Sequence, residues 1–141
     1  MNASWAVAVV AIFVWLGMVL AISFLEAPLK FRAPDVTLRI GLGIGRLVFQ
    51  ALNGAEIVLA AVALVALSFD LPPTRIVAAI IVAIVALAGQ LLAVRRWLNR
   101  RSDAVLAGQE GPRSRAHYVY IGLELIKVVA LLVSGIFLLA E

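Results

Sequence analysis

An all-α membrane bundle of four transmembrane helices is the fold this sequence predicts, and three observations predict it. The 141 residues are 65% hydrophobic and only 14% charged, with a mean hydropathy of +1.11, whereas a soluble domain carries about a quarter charged residues. Four runs, about 3–25, 41–69, 76–98 and 117–140, are each long enough for a hydrocarbon core of roughly 30 Å, which takes about 20 helical residues to cross. What remains makes short connections, 26–40, a brief turn near 70–75, and 99–116. The chain therefore reads as a single transmembrane domain, 1–141, without a soluble catalytic module.

The first run has no basic leader and exceeds the apolar core of a signal peptide, so it reads as a retained helix. Trp5 stands where an interfacial anchor would, and Gly17 with Ala21 has the small-xxx-small spacing of a helix contact. The helix is expected to end at Glu26-Ala27-Pro28, because proline lacks an N–H and pushes its predecessor out of the helical region. The segment APLKFRAP should then lie in the headgroup layer, with Lys30, Phe31 and Arg32 as lipid contacts.

The second run opens with Gly41, Gly43 and Gly45 but has neither the preceding strand nor the spacing of a dinucleotide loop, so Gly41 and Gly45 read as another close helix contact. Pro72 and Pro73 end it, and Thr74 is expected to cap the third helix. That helix is nearly featureless, with Gln90 its one strongly polar interior residue. The third connection, with Gly108, Gly111 and Pro112, is the one long enough to dock a soluble partner.

The net charge of +4 is distributed as a membrane protein distributes it. Lys30, Arg32 and Arg39 lie in the first connection, and Arg95, Arg96, Arg100, Arg101, Arg113 and Arg115 lie at or within the third; the second offers only Arg75. The positive-inside rule makes connections one and three cytoplasmic and both termini external. Lys30, Arg32, Arg95, Arg96, Arg100 and Arg101 are accordingly assigned to anionic lipid headgroups, not to nucleic acid. A bacterial cytoplasmic membrane is the expected location.

Two runs carry polar stripes at helical spacing: Arg46, Gln50, Asn53 and Glu56 on the second, and His117, Tyr120, Glu124 and Lys127 on the fourth. Ionisable groups cost roughly 2.5–3.5 kcal/mol each at a bilayer centre on insertion scales, so both stripes should face the bundle interior. The second and fourth helices run in the same direction, and Glu56 and Lys127 lie at matched depth, each about 15 Å beyond the start of its stripe. They are expected to pair, with helices two and four meeting along the seam; Lys127 also reaches Glu124 at i,i+3, and Arg46 reaches Glu26. A 71-residue offset superimposes the two stripes, as a parallel repeat of two helix pairs would.

The seam has two readings. In one it is a structural network that fixes helix register. In the other the acid left over, two carboxyls against one ammonium, carries a proton or binds a cation along a path through the bundle; Glu124 is the expected proton carrier because Lys127 is shared with Glu56.

With one histidine and no cysteine, the chain has no ligand set for zinc or haem, and no cofactor is expected. His117 is read as an interfacial polar contact and, in the alternative, as a protonatable gate; Tyr118 and Tyr120 read as belt residues. No serine, histidine and acid lie together, so no hydrolytic enzyme is expected.

The segments WLGMVLAISFLEAPLKF and GLGIGRLVFQALNGAE resemble a family of small membrane proteins that includes transmembrane protein 205. The motif residues are Trp15 and Gly17, then Ala27, Pro28 and Phe31, then Gly45, Arg46, Phe49, Leu52 and Asn53; the final helix, with His117 at its start, is also similar but lacks an asparagine after the histidine. The resemblance implies a four-helix bundle and no established reaction. The expected function is non-enzymatic association, as a homo-oligomer or as an accessory subunit of a larger membrane complex. The alternative is a small ion- or proton-linked transporter or channel using the seam.

Overall fold

The computed structural model describes residues 1–94, 96, 100 and 115–141, with only the helical backbone at 93, 94 and 115–117. Among them there is no strand, and four helices are long and apolar enough to cross a membrane.

The first helix, α1, runs from Ala3 to Lys30. Asn2 caps it by accepting the Trp5 N–H at 2.8 Å. It does not stop at Glu26. After α-helical Ala3–Val19 the chain widens into π-helical Leu20–Glu26 and closes with an α-helical turn, Ala27–Lys30. The Ala27 N–H reaches back five residues to Ile22 O. Pro28 would crowd the carbonyl four residues back in an α-helix, and the wider π turns ahead of it give the ring room. The reversal therefore comes later than expected, at 31–37, where Asp35 takes a left-handed backbone at φ 67°, a conformation that aspartate tolerates better than most residues.

Thr37 then caps α2, Leu38–Ser68, by accepting the Ile40 N–H at 3.2 Å. Its 31 residues span about 46 Å, more than a bilayer core requires. The third helix, α3, comprises Thr74–Gly89 and a π-helical end, Gln90–Val94. Thr74 is its first helical residue and not its cap; Pro73 occupies the cap position and offers no side-chain bond. The fourth helix, α4, is Arg115–Ala140. The third connection expected at 99–116 lies outside the described residues, except for exposed Arg100 and the first helical positions of α4.

α1 packs along both α2 and α4, and α4 packs along α3. The expected direct meeting of α2 with α4 is not one of these extensive pairings; those two helices are joined by side chains. Ile12, Trp15, Val19, Leu52, Ile76, Ile80, Leu131 and Leu138 fill the centre, all fully buried or nearly so. Gly135 on α4 makes room for the Phe13 ring of α1, since a Cβ there would fall 2.7 Å from it. The outward faces carry large apolar residues such as Val10, Leu47, Val65, Val85 and Val129. In lipid those side chains need no cover, and helix association rests instead on packing and interior polar contacts. This is an integral membrane protein.

Both termini and the second connection sit at one end of the bundle. The Asn2 amide donates to Asp70 Oδ2 at 2.5 Å and the Trp5 indole to Asp70 O at 2.7 Å. Arg75 pairs with Glu141 in the same region and lies over the Phe137 ring.

At the opposite end, the last residue of α1 and the first residue after it lie against α2. The Phe31 ring lies over Gly41 and the Lys30 ammonium over Gly45, so that a side chain at either glycine would displace them. The two glycines thus receive a hook from the first connection and not a neighbouring helix. Gly17 and Ala21, read as the other helix contact, face outward, with nothing within 4 Å of a Cβ at Gly17.

Candidate functional site

At the centre of the bundle, side chains from α2, α3 and α4 converge on one ammonium, and α1 braces the acids around it. Lys127 Nζ lies 2.5 Å from Glu56 Oε1, 2.5 Å from Glu124 Oε1 and 2.7 Å from Gln90 Oε1. An ammonium has three N–H donors and here each finds an acceptor. None of Lys127, Glu56 and Gln90 has any exposed surface, and Glu124 is 1% exposed.

Each acid is braced by α1. The Trp15 indole N–H donates to Glu56 Oε1 at 2.8 Å, and the Ser23 hydroxyl donates to Glu124 Oε2. Ser23 lies within the π-helical stretch, and Gln90 opens the other one. Gln90 works in both directions: while its oxygen accepts from Lys127, its amide donates to Glu124 Oε1 at 2.7 Å and to Tyr120 O at 3.3 Å. The two acids are unequal. Glu124 has donors on both oxygens, whereas Glu56 Oε2 is buried with no donor, and so is Asn53 Oδ1 one turn earlier on α2.

The remaining stripe residues divide by depth. Tyr120 is buried, its ring meeting Phe49 edge to face with centroids 5.8 Å apart. Arg46 is half-buried and Gln50 exposed, so the α2 stripe does not face the interior along its whole length. The side chain of His117 lies outside the described residues, as do Arg95 and Arg101; Arg96 and Arg100 are exposed.

Lys30, assigned above to lipid headgroups, is instead tucked against the bundle. Its side chain is 10% exposed, with Nζ 3.8 Å from Glu26 Oε2 and 5.5 Å and 5.8 Å from the Phe31 and Phe49 ring centroids. Glycine at 45 makes room for it, and aromatic faces attract a cation held this way. Phe31 and Arg32 do remain on the exposed surface.

Trp15, Ser23 and Gln90 are the site residues that the polar stripes do not reveal, though Gln90 stands out as the polar residue of its helix. Ser23 is one of few polar residues in an apolar helix, the available signal for an inward donor; Trp15 stands in the sequence only as a motif residue, with nothing to mark its acceptor. Comparison of the chain with protein-family models, curated proteins and solved structures gives no match.

Chemically, the cluster can hold charge and does so with its donors aimed inward. The described residues bring together no group of three histidine, cysteine or acidic side chains able to hold a metal ion.

Proposed function

We propose that this protein acts by association within the membrane, as a homo-oligomer or an accessory subunit of a larger complex, and performs no chemistry of its own. The observation that carries this reading is the closure of the cluster: every N–H of Lys127 is used inside the protein, and the ammonium has no exposed surface. A conduit would keep its charged groups in contact with water along a path. A clamp across four helices does the opposite, since each helix loses a polar partner if it leaves.

The proposal includes membership of the transmembrane protein 205-like family. It rests on the resemblance of the two N-terminal segments; of the motif residues, Trp15 holds Glu56, Phe31 lies over Gly41, and Gly45 receives Lys30. It also includes the orientation, with the end bearing Arg32 and Arg39 cytoplasmic and both termini outside a bacterial cytoplasmic membrane. The chain has no cysteine, so single cysteines at Ala33 and Leu71 test orientation in intact cells. Labelling from outside is expected at Leu71 alone; labelling at Ala33 alone reverses the assignment.

Association is tested by the mass of the particle extracted in mild detergent. A defined homo-oligomer or a stoichiometric hetero-complex is expected. A monomer at all protein concentrations refutes the proposal, and the transport alternative is then examined by flux through reconstituted vesicles.

A further inference from the structure

Matching donors to acceptors through the buried cluster leaves one carboxyl oxygen without a donor, and it belongs to Glu56. Lys127 gives its three N–H groups to Glu56 Oε1, Glu124 Oε1 and Gln90 Oε1. Glu124 accepts from Lys127 and Gln90 on one oxygen and from Ser23 on the other. Glu56 accepts from Lys127 and Trp15 on Oε1 alone. Its Oε2, fully enclosed, faces no donor, and Asn53 Oδ1, three residues back on the same helix and 6% exposed, faces none either. Residues three apart on a helix lie on one face, a turn apart.

Charge points to the same atom. Two carboxylates face one ammonium, and the other contributors from α1 and α3, Trp15, Ser23 and Gln90, are neutral. The next cation on α2 itself, Arg46, is about 15 Å away along the helix. Among the described residues one negative charge is therefore uncompensated in an enclosed site within lipid, a state that buried carboxyls avoid by taking up a proton.

We propose that Glu56 Oε2 is a proton-binding site: a resident proton on that oxygen is donated toward Asn53 Oδ1, while Glu124 stays ionised as the carboxylate partner of Lys127. The single ligand repairs both defects. It brings the cluster to neutrality, turns Oε2 from an orphan acceptor into a donor, and supplies Asn53 Oδ1 with a partner. Glu124 is the wrong carrier, because both of its oxygens already accept hydrogen bonds. The sequence-based expectation that Glu124 holds the proton is replaced on this ground. Two other occupants would satisfy the geometry in part: a water bridging the two oxygens, or a rotated Asn53 amide donating to Glu56. Both leave two carboxylates charged. This proposal is independent of the association reading.

Infrared spectra of the full-length protein in lipid vesicles at neutral pH, with glutamate carbonyls isotopically labelled, separate these cases. The unmodified protein should show the carbonyl stretch of a protonated glutamyl carboxyl. Glu56→Gln should abolish it, and so should Glu124→Gln, because Glu56 is then the one carboxyl left to balance Lys127 and gives up its proton; the position of the proton is therefore read from Asn53. Asn53→Leu should keep the band but move it to higher frequency, as loss of a hydrogen-bond acceptor does. No protonated-carboxyl band in the unmodified protein, the result for a bridging water or a rotated amide, overturns the proposal. So does a band that survives Glu56→Gln, or one that Asn53→Leu leaves unshifted. If either glutamine variant fails to fold, the Asn53→Leu spectrum decides: an unshifted band places the proton elsewhere.

Discussion

The polar stripes of α2 and α4 look equivalent in sequence and are used differently. On α4, Tyr120, Glu124 and Lys127 are all buried, and the two charged residues form an i,i+3 pair that carries its own compensation. On α2 the stripe divides: Gln50 is exposed, Arg46 is half-buried, and only Asn53 and Glu56 reach the centre. The reason is position in the bundle. α4 packs along both α1 and α3 and is covered on two sides, while α2 packs extensively on α1 alone. Periodicity tells which residues share a face; the number of neighbouring helices decides how much of that face is buried.

That contrast can be broken most severely at its shared residue. Lys127→Met leaves Glu56 and Glu124 enclosed without a cation, and removal of one partner of a buried ion pair costs about 3–5 kcal/mol. Thermal unfolding in detergent should show a large loss, and adding Glu124→Gln to Lys127→Met should recover part of it. Strictly additive losses would mean that the two residues do not interact.

A smaller effect tests how α1 supports the α2 side. Trp15→Phe keeps an aromatic ring in the core but removes the N–H that Glu56 Oε1 accepts, and a hydrogen bond to a neutral, protonated acid is worth about 0.5–1.5 kcal/mol. Glu124→Gln should destabilise more than Glu56→Gln in the same assay, since it disturbs donors on both carboxyl oxygens and Glu56→Gln alters an oxygen that has none. The reverse order would make the α2 acid the more firmly held. At the far end of the scale, Gln50→Leu should shift stability by no more than about 0.5 kcal/mol, as exposed substitutions usually do; a large loss would mean that the whole α2 stripe is buried in the assembled protein.

The four spans were legible because lipid imposes length and apolarity on any crossing helix, and the starts of α2, α3 and α4 fall within three residues of their expected positions. Glu56 and Lys127 could be paired because parallel helices convert residue number into depth. Three features were not legible. The persistence of α1 through Pro28 depends on a π-helical register that residue identities alone do not announce. The fold-back of Lys30 and Phe31 onto Gly41 and Gly45 reads in sequence as helix-packing glycines, because a glycine shows that something approaches without showing what. The contributions of Trp15, Ser23 and Gln90 depend on which helices become neighbours, and that is a tertiary outcome.

The wide separation of Glu56 from Lys127 along the chain has a bearing on biogenesis. When the α1–α2 hairpin enters the bilayer, its acid has the Trp15 indole to lean on, while its cation lies half the protein away and has yet to be synthesised. α4 brings that cation together with Glu124, one helical turn away, so the last segment can enter as an internally balanced pair. The hairpin is thus the expectant partner, held in a half-satisfied state until the C-terminal helix docks. A chain truncated before α4 would present that waiting carboxyl to the membrane and to any quality-control machinery that surveys it.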